Sequence, residues 1–188
     1  MKPAAGGGAT YSQYVTDNKA GRRAAVYVGA NDGMFHAFDG NPDKAQGGGK
    51  ELFAYVPRSA YRYMKELTEG DYTHRFFVDG PVVEGDVYLG GNWKSVVMGS
   101  GGAGEPGLFM LDVTKPEQFG ANKVMWDITA AEEPDLGRVR GAGYIGSVKY
   151  NAGGKWVALV PNGYESANSR AVLLVIDMTR RIRRVRYR

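Results

Sequence analysis

The sequence predicts an all-β fold, a partial β-propeller of about three four-stranded blades with one short inserted helix. Three observations carry that expectation. Residues 25–39 read as two strands around an Asn-Asp-Gly turn, and two weaker copies follow. Three apolar runs end in aspartate, at Asp39, Asp112 and Asp177, which stand 73 and 65 residues apart. Glycine supplies 28 of 188 residues, twice the usual share of roughly 7%, which suits many tight turns rather than long helices.

Laid out in rows, the chain gives three candidate blades, at about 11–56, 77–128 and 143–188. The first supplies Ala25 to Ala30, Met34 to Asp39 and Glu51 to Val56, with no clear opening strand. The second runs Phe77 to Leu89, Ser95 to Ser100, Leu108 to Val113 and Lys123 to Ile128. The third runs Gly143 to Asn151, Trp156 to Pro161, Ala171 to Met178 and Ile182 to Arg188. The spacing exceeds the roughly 40 to 45 residues of a WD-type blade, so the loops carry insertions. One of these, at about 58–69, is helical: Ala60, Tyr63, Met64 and Leu67 form one apolar face over Ser59 to Leu67, with Gly70 as a stop. Pro116 to Phe119 has room for one further turn of helix.

The 188 residues read as a single domain, and 43% hydrophobic content is enough for a core. Three blades are too few to close a ring of about four to eight, so the chain reads as a fragment of a larger propeller, with unpaired strand edges exposed at both ends. No window approaches the roughly 20 apolar residues of a membrane span. Without cysteine, disulfides, thiolate metal sites and cysteine nucleophiles are excluded.

The formal charge of +4 is carried by Arg180, Arg181, Arg183, Arg184, Arg186 and Arg188. From Arg184 onward charges alternate with Val185 and Tyr187, the period of a half-buried strand, and that reading outweighs nucleic-acid binding.

No catalytic constellation is visible. Asn31, Asp32 and Gly33 suit a hairpin turn better than a calcium loop, because Met34 and Phe35 follow where oxygen ligands are needed. The run from Gly99 to Gly104 lacks the Gly-Lys-Ser/Thr of a phosphate cradle and reads as a flexible strand connection. His36 lies in a strand, sharing a face with Met34 and Phe38, while Phe35, Ala37 and Asp39 take the other. A histidine hydrogen-bonded within the blade is the expectation there, rather than a metal ligand. His74 is isolated, and Asp79-Gly80-Pro81 beyond it reads as a bend.

These residues also carry a resemblance. The runs Val26-Tyr27-Val28-Gly29-Ala30-Asn31-Asp32-Gly33-Met34-Phe35-His36-Ala37-Phe38-Asp39, Glu51-Leu52-Phe53-Ala54-Tyr55-Val56-Pro57 and His74-Arg75-Phe76-Phe77-Val78-Asp79-Gly80 come first. Later come Trp93-Lys94-Ser95-Val96-Val97-Met98-Gly99, Leu111-Asp112-Val113-Thr114-Lys115-Pro116 and Asn162-Gly163-Tyr164-Glu165-Ser166. In this order they resemble the C-terminal propeller of the PilC/PilY family, type IV pilus biogenesis factors and tip-associated adhesins, over about Tyr11 to Thr179. The opening hairpin alone is shared with quinoprotein blades of the pyrroloquinoline-quinone type.

The resemblance implies a non-enzymatic module exported to the periplasm or cell surface, assisting pilus assembly, countering retraction and in some members mediating adhesion. Its partners are then pilus subunits or pilus assembly proteins and, for some members, a host surface. The family's calcium loop lies in a later part of the propeller, so no cofactor is expected in this chain. Asn31, Asp32, Gly33, His36, Asp39, His74, Asp79, Gly80, Asp112, Asn162 and Gly163 match family motifs and are expected to be structural. The propeller top, with long loops such as Gly40 to Lys50 and Gly99 to Gly107, is the expected binding surface. The chain departs from the family at Val160-Pro161 and in Ser100 to Gly107. The competing reading is a quinoprotein-type dehydrogenase fragment, which needs a quinone pocket, a calcium site and a catalytic aspartate.

Overall fold

The computed structural model describes residues 8–150, 153–179 and 182–186. Among these residues eleven strands form three antiparallel sheets in chain order. Sheet 1 contains β1 (Ala25–Gly29), β2 (Phe35–Asp39) and β3 (Glu51–Tyr55). Sheet 2 contains β4 (Val83–Leu89), β5 (Asn92–Ser100), β6 (Gly107–Asp112) and β7 (Val124–Thr129). Sheet 3 contains β8 (Tyr144–Tyr150), β9 (Gly153–Pro161), β10 (Val172–Asp177) and β11 (Ile182–Arg186). Every strand pairs with its chain neighbour, the up-and-down order of a propeller blade.

A structural signature repeats in all three sheets. The aspartate ending β2, β6 or β10 pairs with a cation near the start of the preceding strand: Arg23 with Asp39 at 2.9 Å, Lys94 with Asp112 at 2.8 Å, Lys155 with Asp177 at 3.7 Å. Each aspartate also accepts the backbone N–H two residues on, from Asn41, Thr114 and Thr179. The residue after each aspartate donates to the carbonyl of the residue after the cation: Gly40 to Ala24, Val113 to Ser95, Met178 to Trp156. The side-chain bond to its own backbone terminates the strand and starts the turn. This repeat aligns β1 with β5 and β9, β2 with β6 and β10, and β3 with β7 and β11. Among the described residues sheet 1 therefore has no counterpart of β4 and β8. Its β1 directs the backbone groups of Ala25, Tyr27 and Gly29 away from β2, where no strand lies among the described residues.

The sheets stack face to face, and the middle one is buried on both sides. Val97, Phe109 and Leu111 face Phe35, Ala37 and Phe53 of sheet 1. Val96, Met98, Leu108 and Met110 face Ala158, Val160, Leu174 and Ile176 of sheet 3. Hence β6 is buried at every residue and reads as a continuous apolar run, whereas β10 alternates. The first strands of sheets 2 and 3 converge: a methyl on Gly85 of β4 would lie 3.0 Å from Ile145 of β8. Such tapering is what blades around an axis require.

Two expectations need correction. The ends of the stack expose sheet faces as well as the β1 edge, because neighbouring blades meet through their faces. Val26 and Val28 are 57% and 44% exposed at one end, and Val185 is 50% exposed at the other. The insertion after β3 is a single turn of helix, α2 (Arg58–Tyr61), then a 3-10 turn over Met64–Thr68. Its start has no side-chain cap, and the ring of Tyr63 at the break lies under the guanidinium of Arg75, 3.9 Å away, fixing that residue rather than continuing the helix. The segment before β1, where the sequence offers no clear strand, is helical: one α turn, α1 (Tyr11–Tyr14), and one π turn at Val15–Lys19. The Arg-rich tail does form a strand, β11, paired to β10, while Arg180, Arg181 and Arg188 lie outside the described residues.

Candidate functional site

Because successive strands alternate direction, the connections sort onto two ends of the stack. One end gathers the turn at 30–34, the loops 101–106 and 162–171, and the long connections 56–82 and 130–143. The other holds the loops 40–50 and 113–123, and with them Asp39 and Asp112. The long loops Gly40 to Lys50 and Gly99 to Gly107 are thus on opposite ends and do not form one surface. A β2–β3 connection and a β5–β6 connection follow strands that occupy different places in the repeat, so they leave their sheets in opposite directions.

The first end is knitted together by the residues that stood out in the sequence. In the 30–34 turn Asp32 accepts the N–H of Met34 at 2.9 Å, Gly33 takes φ 92°, and Asn31 accepts the N–H of Phe77 at 3.2 Å. That last bond joins the turn to the connection entering sheet 2. Asp79 then accepts the N–H of Ala103, and Gly80 donates to the Ser100 carbonyl at 3.2 Å. Gly102 adopts φ 59°, and a Cβ there would lie 2.4 Å from the Asp79 and Gly80 backbone. The glycine-rich loop is accordingly a packed junction, not a loose connection. Arg138 donates to the Ala103 and Gly104 carbonyls and, at 2.7 Å, to Glu165. Its backbone pairs with Tyr164. Asn162 is buried and fully used: its amide donates to the Asp135 and Arg170 carbonyls at 2.7 and 2.8 Å, and its oxygen accepts the Val172 N–H at 3.0 Å. Gly163, at φ 78°, lets this loop pass against Arg138.

On this scaffold Tyr61, Phe76 and Tyr164 stand out into solvent, at 69%, 45% and 71% exposure. Around them lie ion pairs between Arg62 and Glu105 (2.7 Å) and between Arg75 and Glu66 (2.9 Å). A hollow of about 350 Å³ is lined by Glu66, Tyr72, His74 and Arg75. His74 stands edge-on to Phe76 at 5.2 Å. Beside α2, Asp127 of β7 accepts the Arg58 N–H at 2.8 Å and the Tyr55 hydroxyl at 2.5 Å. Burial raises the Asp127 carboxyl above its usual range, and these two donors only partly offset it.

The opposite end centres on a group the sequence reading missed. Asp86 of β4 accepts from Lys19 at 2.7 Å, Ser95 at 2.6 Å and Tyr11 at 2.8 Å, and Tyr14 shares a hydrogen bond with Ser95 at 2.9 Å. Trp93 donates to the Ala9 carbonyl. The helical segment ahead of β1 is thereby strapped to sheet 2. Its signal was present as a capping box: Thr10 accepts the Gln13 N–H, and the Gln13 side chain accepts from Thr10. The cation partners of the three strand-ending aspartates were missed too, since Arg23, Lys94 and Lys155 stand 16, 18 and 22 residues ahead of them. Arg184 forks onto the buried Glu133 at 2.9 Å and lies 3.2 Å from Asp135, so part of the arginine cluster is spent inside the molecule.

Among the described residues no group of three or more histidine, aspartate or glutamate side chains is arranged to hold a metal ion. No described helix is long and apolar enough to cross a membrane. Chemically, the loop-rich end offers rigid exposed aromatics ringed by ion pairs, an arrangement suited to gripping another protein.

Comparison with known proteins agrees with this architecture. The family model of the PilY1 β-propeller domain matches residues 2–185. A type IV pilus biogenesis factor PilY1 homolog of Xylella fastidiosa is 39% identical over 170 residues, covering 90% of this chain and 11% of that protein. The type IV pilus biogenesis factor PilY1 of Pseudomonas aeruginosa is 40% identical over 171 residues, covering 89% of this chain and 14% of that protein. The crystal structure of the P. aeruginosa PilY1 C-terminal domain superposes with a TM-score of 0.72 at 37% identity, over 95% of this chain and 33% of that one.

Proposed function

The chain belongs to the PilY1 β-propeller family, and on that premise we propose that it is a non-enzymatic binding module of a type IV pilus biogenesis factor, acting at the periplasmic or outer cell surface. Its partners are pilus subunits or pilus assembly proteins, engaged through the loop-rich end. The chain spans a small part of its relatives' length, so support for retraction, and adhesion to a host surface, are finer roles proposed for the whole protein.

The observation that carries this reading is the exposure of Tyr61, Phe76 and Tyr164 on a hydrogen-bonded scaffold. Exposed aromatics on fixed backbone lose little entropy on binding and fill partner pockets well. Biolayer interferometry of the immobilised chain against purified major and minor pilins tests it. Saturable binding is expected, with F76A and Y164A each weakening it by roughly tenfold or more, as a hot-spot truncation does. Lys50→Ala on the opposite end should leave it unchanged. Absence of binding to every pilus component would overturn the reading.

A further inference from the structure

The repeat that aligns the three sheets places His36 of β2 at the position held by Phe109 in β6 and Leu174 in β10. Both of those are fully buried hydrocarbons. At the same position sheet 1 carries an imidazole with a carboxylate at each nitrogen: Nδ1 lies 2.6 Å from Glu51 of β3, and Nε2 lies 3.0 Å from Asp32 of the β1–β2 turn. The side chain is 13% exposed, and the two carboxylates are 46% exposed. Phe38 stacks along it at 5.7 Å. Opposite it in the ladder stand Val28 of β1 and Ala54 of β3, so Asp32 and Glu51 are the charged groups that bear on the ring.

A neutral imidazole has one N–H and can donate to only one of these carboxylates, whereas the imidazolium donates to both. We propose that His36 is a pH-sensitive latch: as imidazolium it fastens the β1–β2 turn to β3, and on losing a proton it lets go of one of them. What the latch holds is the junction between sheets 1 and 2. The same turn anchors Phe77 through Asn31, and Ala30 accepts the Val78 N–H at 3.3 Å. Release of the turn therefore loosens the segment entering sheet 2 and the edge of the loop-rich end.

Burial alone would push the His36 pKa down; the bonds to Glu51 and then Asp32 outweigh it and hold the pKa above its ordinary 6.5. With the folded value raised, the stabilisation is complete below the unfolded value and is lost as pH rises through the folded one. The latch is closed in mildly acidic surroundings and opens on the alkaline side of 6.5.

Long-range 1H–15N NMR of the ring tests the proposal in the chain carrying H74N, which leaves one histidine. Both ring nitrogens should be protonated at pH 6, with a titration midpoint above 6.5 that D32N and E51Q each lower. Amide exchange at 31–34 and 77–78, corrected for its intrinsic pH dependence, should lose protection at the same midpoint. His36→Phe, which restores the hydrocarbon of the other sheets, should keep the fold and remove that inflection. A midpoint at or below 6.5, or an inflection that survives in His36→Phe, would overturn the latch.

Discussion

Single side chains decide how the loops are held. Asn162 makes three hydrogen bonds to backbone groups, at Asp135 and on the stretch Arg170 to Val172, and is 5% exposed. Asn162→Ala leaves those groups without partners in a space too tight for easy solvation, and should cost about 1–3 kcal/mol in urea denaturation. Asp86 works similarly at the other end, where it receives Lys19, Ser95 and Tyr11. Burial opposes its ionisation, but those three donors win and hold its pKa below the ordinary 3.8. A lowered carboxylate pKa stabilises fully above the unfolded value and ceases to do so as pH falls through the folded one. Thermal melts across the acid range should therefore fall below about pH 4 in the native chain, with a visibly shallower fall in D86N. Equal slopes in the two proteins would remove Asp86 from the account.

At the scale of elements, most strands were legible because alternation and turn residues mark them directly. Asn31, Asp32 and Gly33 announce the first hairpin, and the three strand-ending aspartates announce the repeat. What escaped was non-local. Lys94 and Asp112 meet only once β5 and β6 pair, and the Tyr11–Lys19 strap acquires its meaning from Asp86, 67 residues beyond Lys19. The loop-rich end was unreadable for the same reason, since its hydrogen bonds join segments from all three sheets. Helix 59–67 failed differently: its apolar spacing is real, yet a segment this short gains too little from helix propensity to resist the local contacts of Tyr63. The absence of a first strand in sheet 1 among the described residues makes a sharp prediction. Hydrogen exchange by NMR should find the amides of Ala25, Tyr27 and Gly29 fast and those of Val26 and Val28 slow, because only the latter face β2. Uniform protection along β1 would mean that something covers its free edge.

The whole molecule is a stack whose stability concentrates in the middle. Sheet 2 has partners on both faces; sheets 1 and 3 each bury one, leaving Val26, Val28 and Val185 in solvent. Apolar sheet faces of this kind drive association. Light scattering during size-exclusion chromatography should show concentration-dependent self-association of the chain, reduced by Val26→Lys with Val28→Lys. A strictly monomeric profile at every concentration would contradict that expectation. The stacking itself is most directly tested across sheets 1 and 2, where the rings of Phe35 and Phe109 meet edge-on at 5.1 Å. A double-mutant cycle with F35L and F109L, followed by urea denaturation, should return a coupling of about 0.5–1.5 kcal/mol. Additivity of the two changes to within about 0.3 kcal/mol would mean that the two sheets do not pack through these faces.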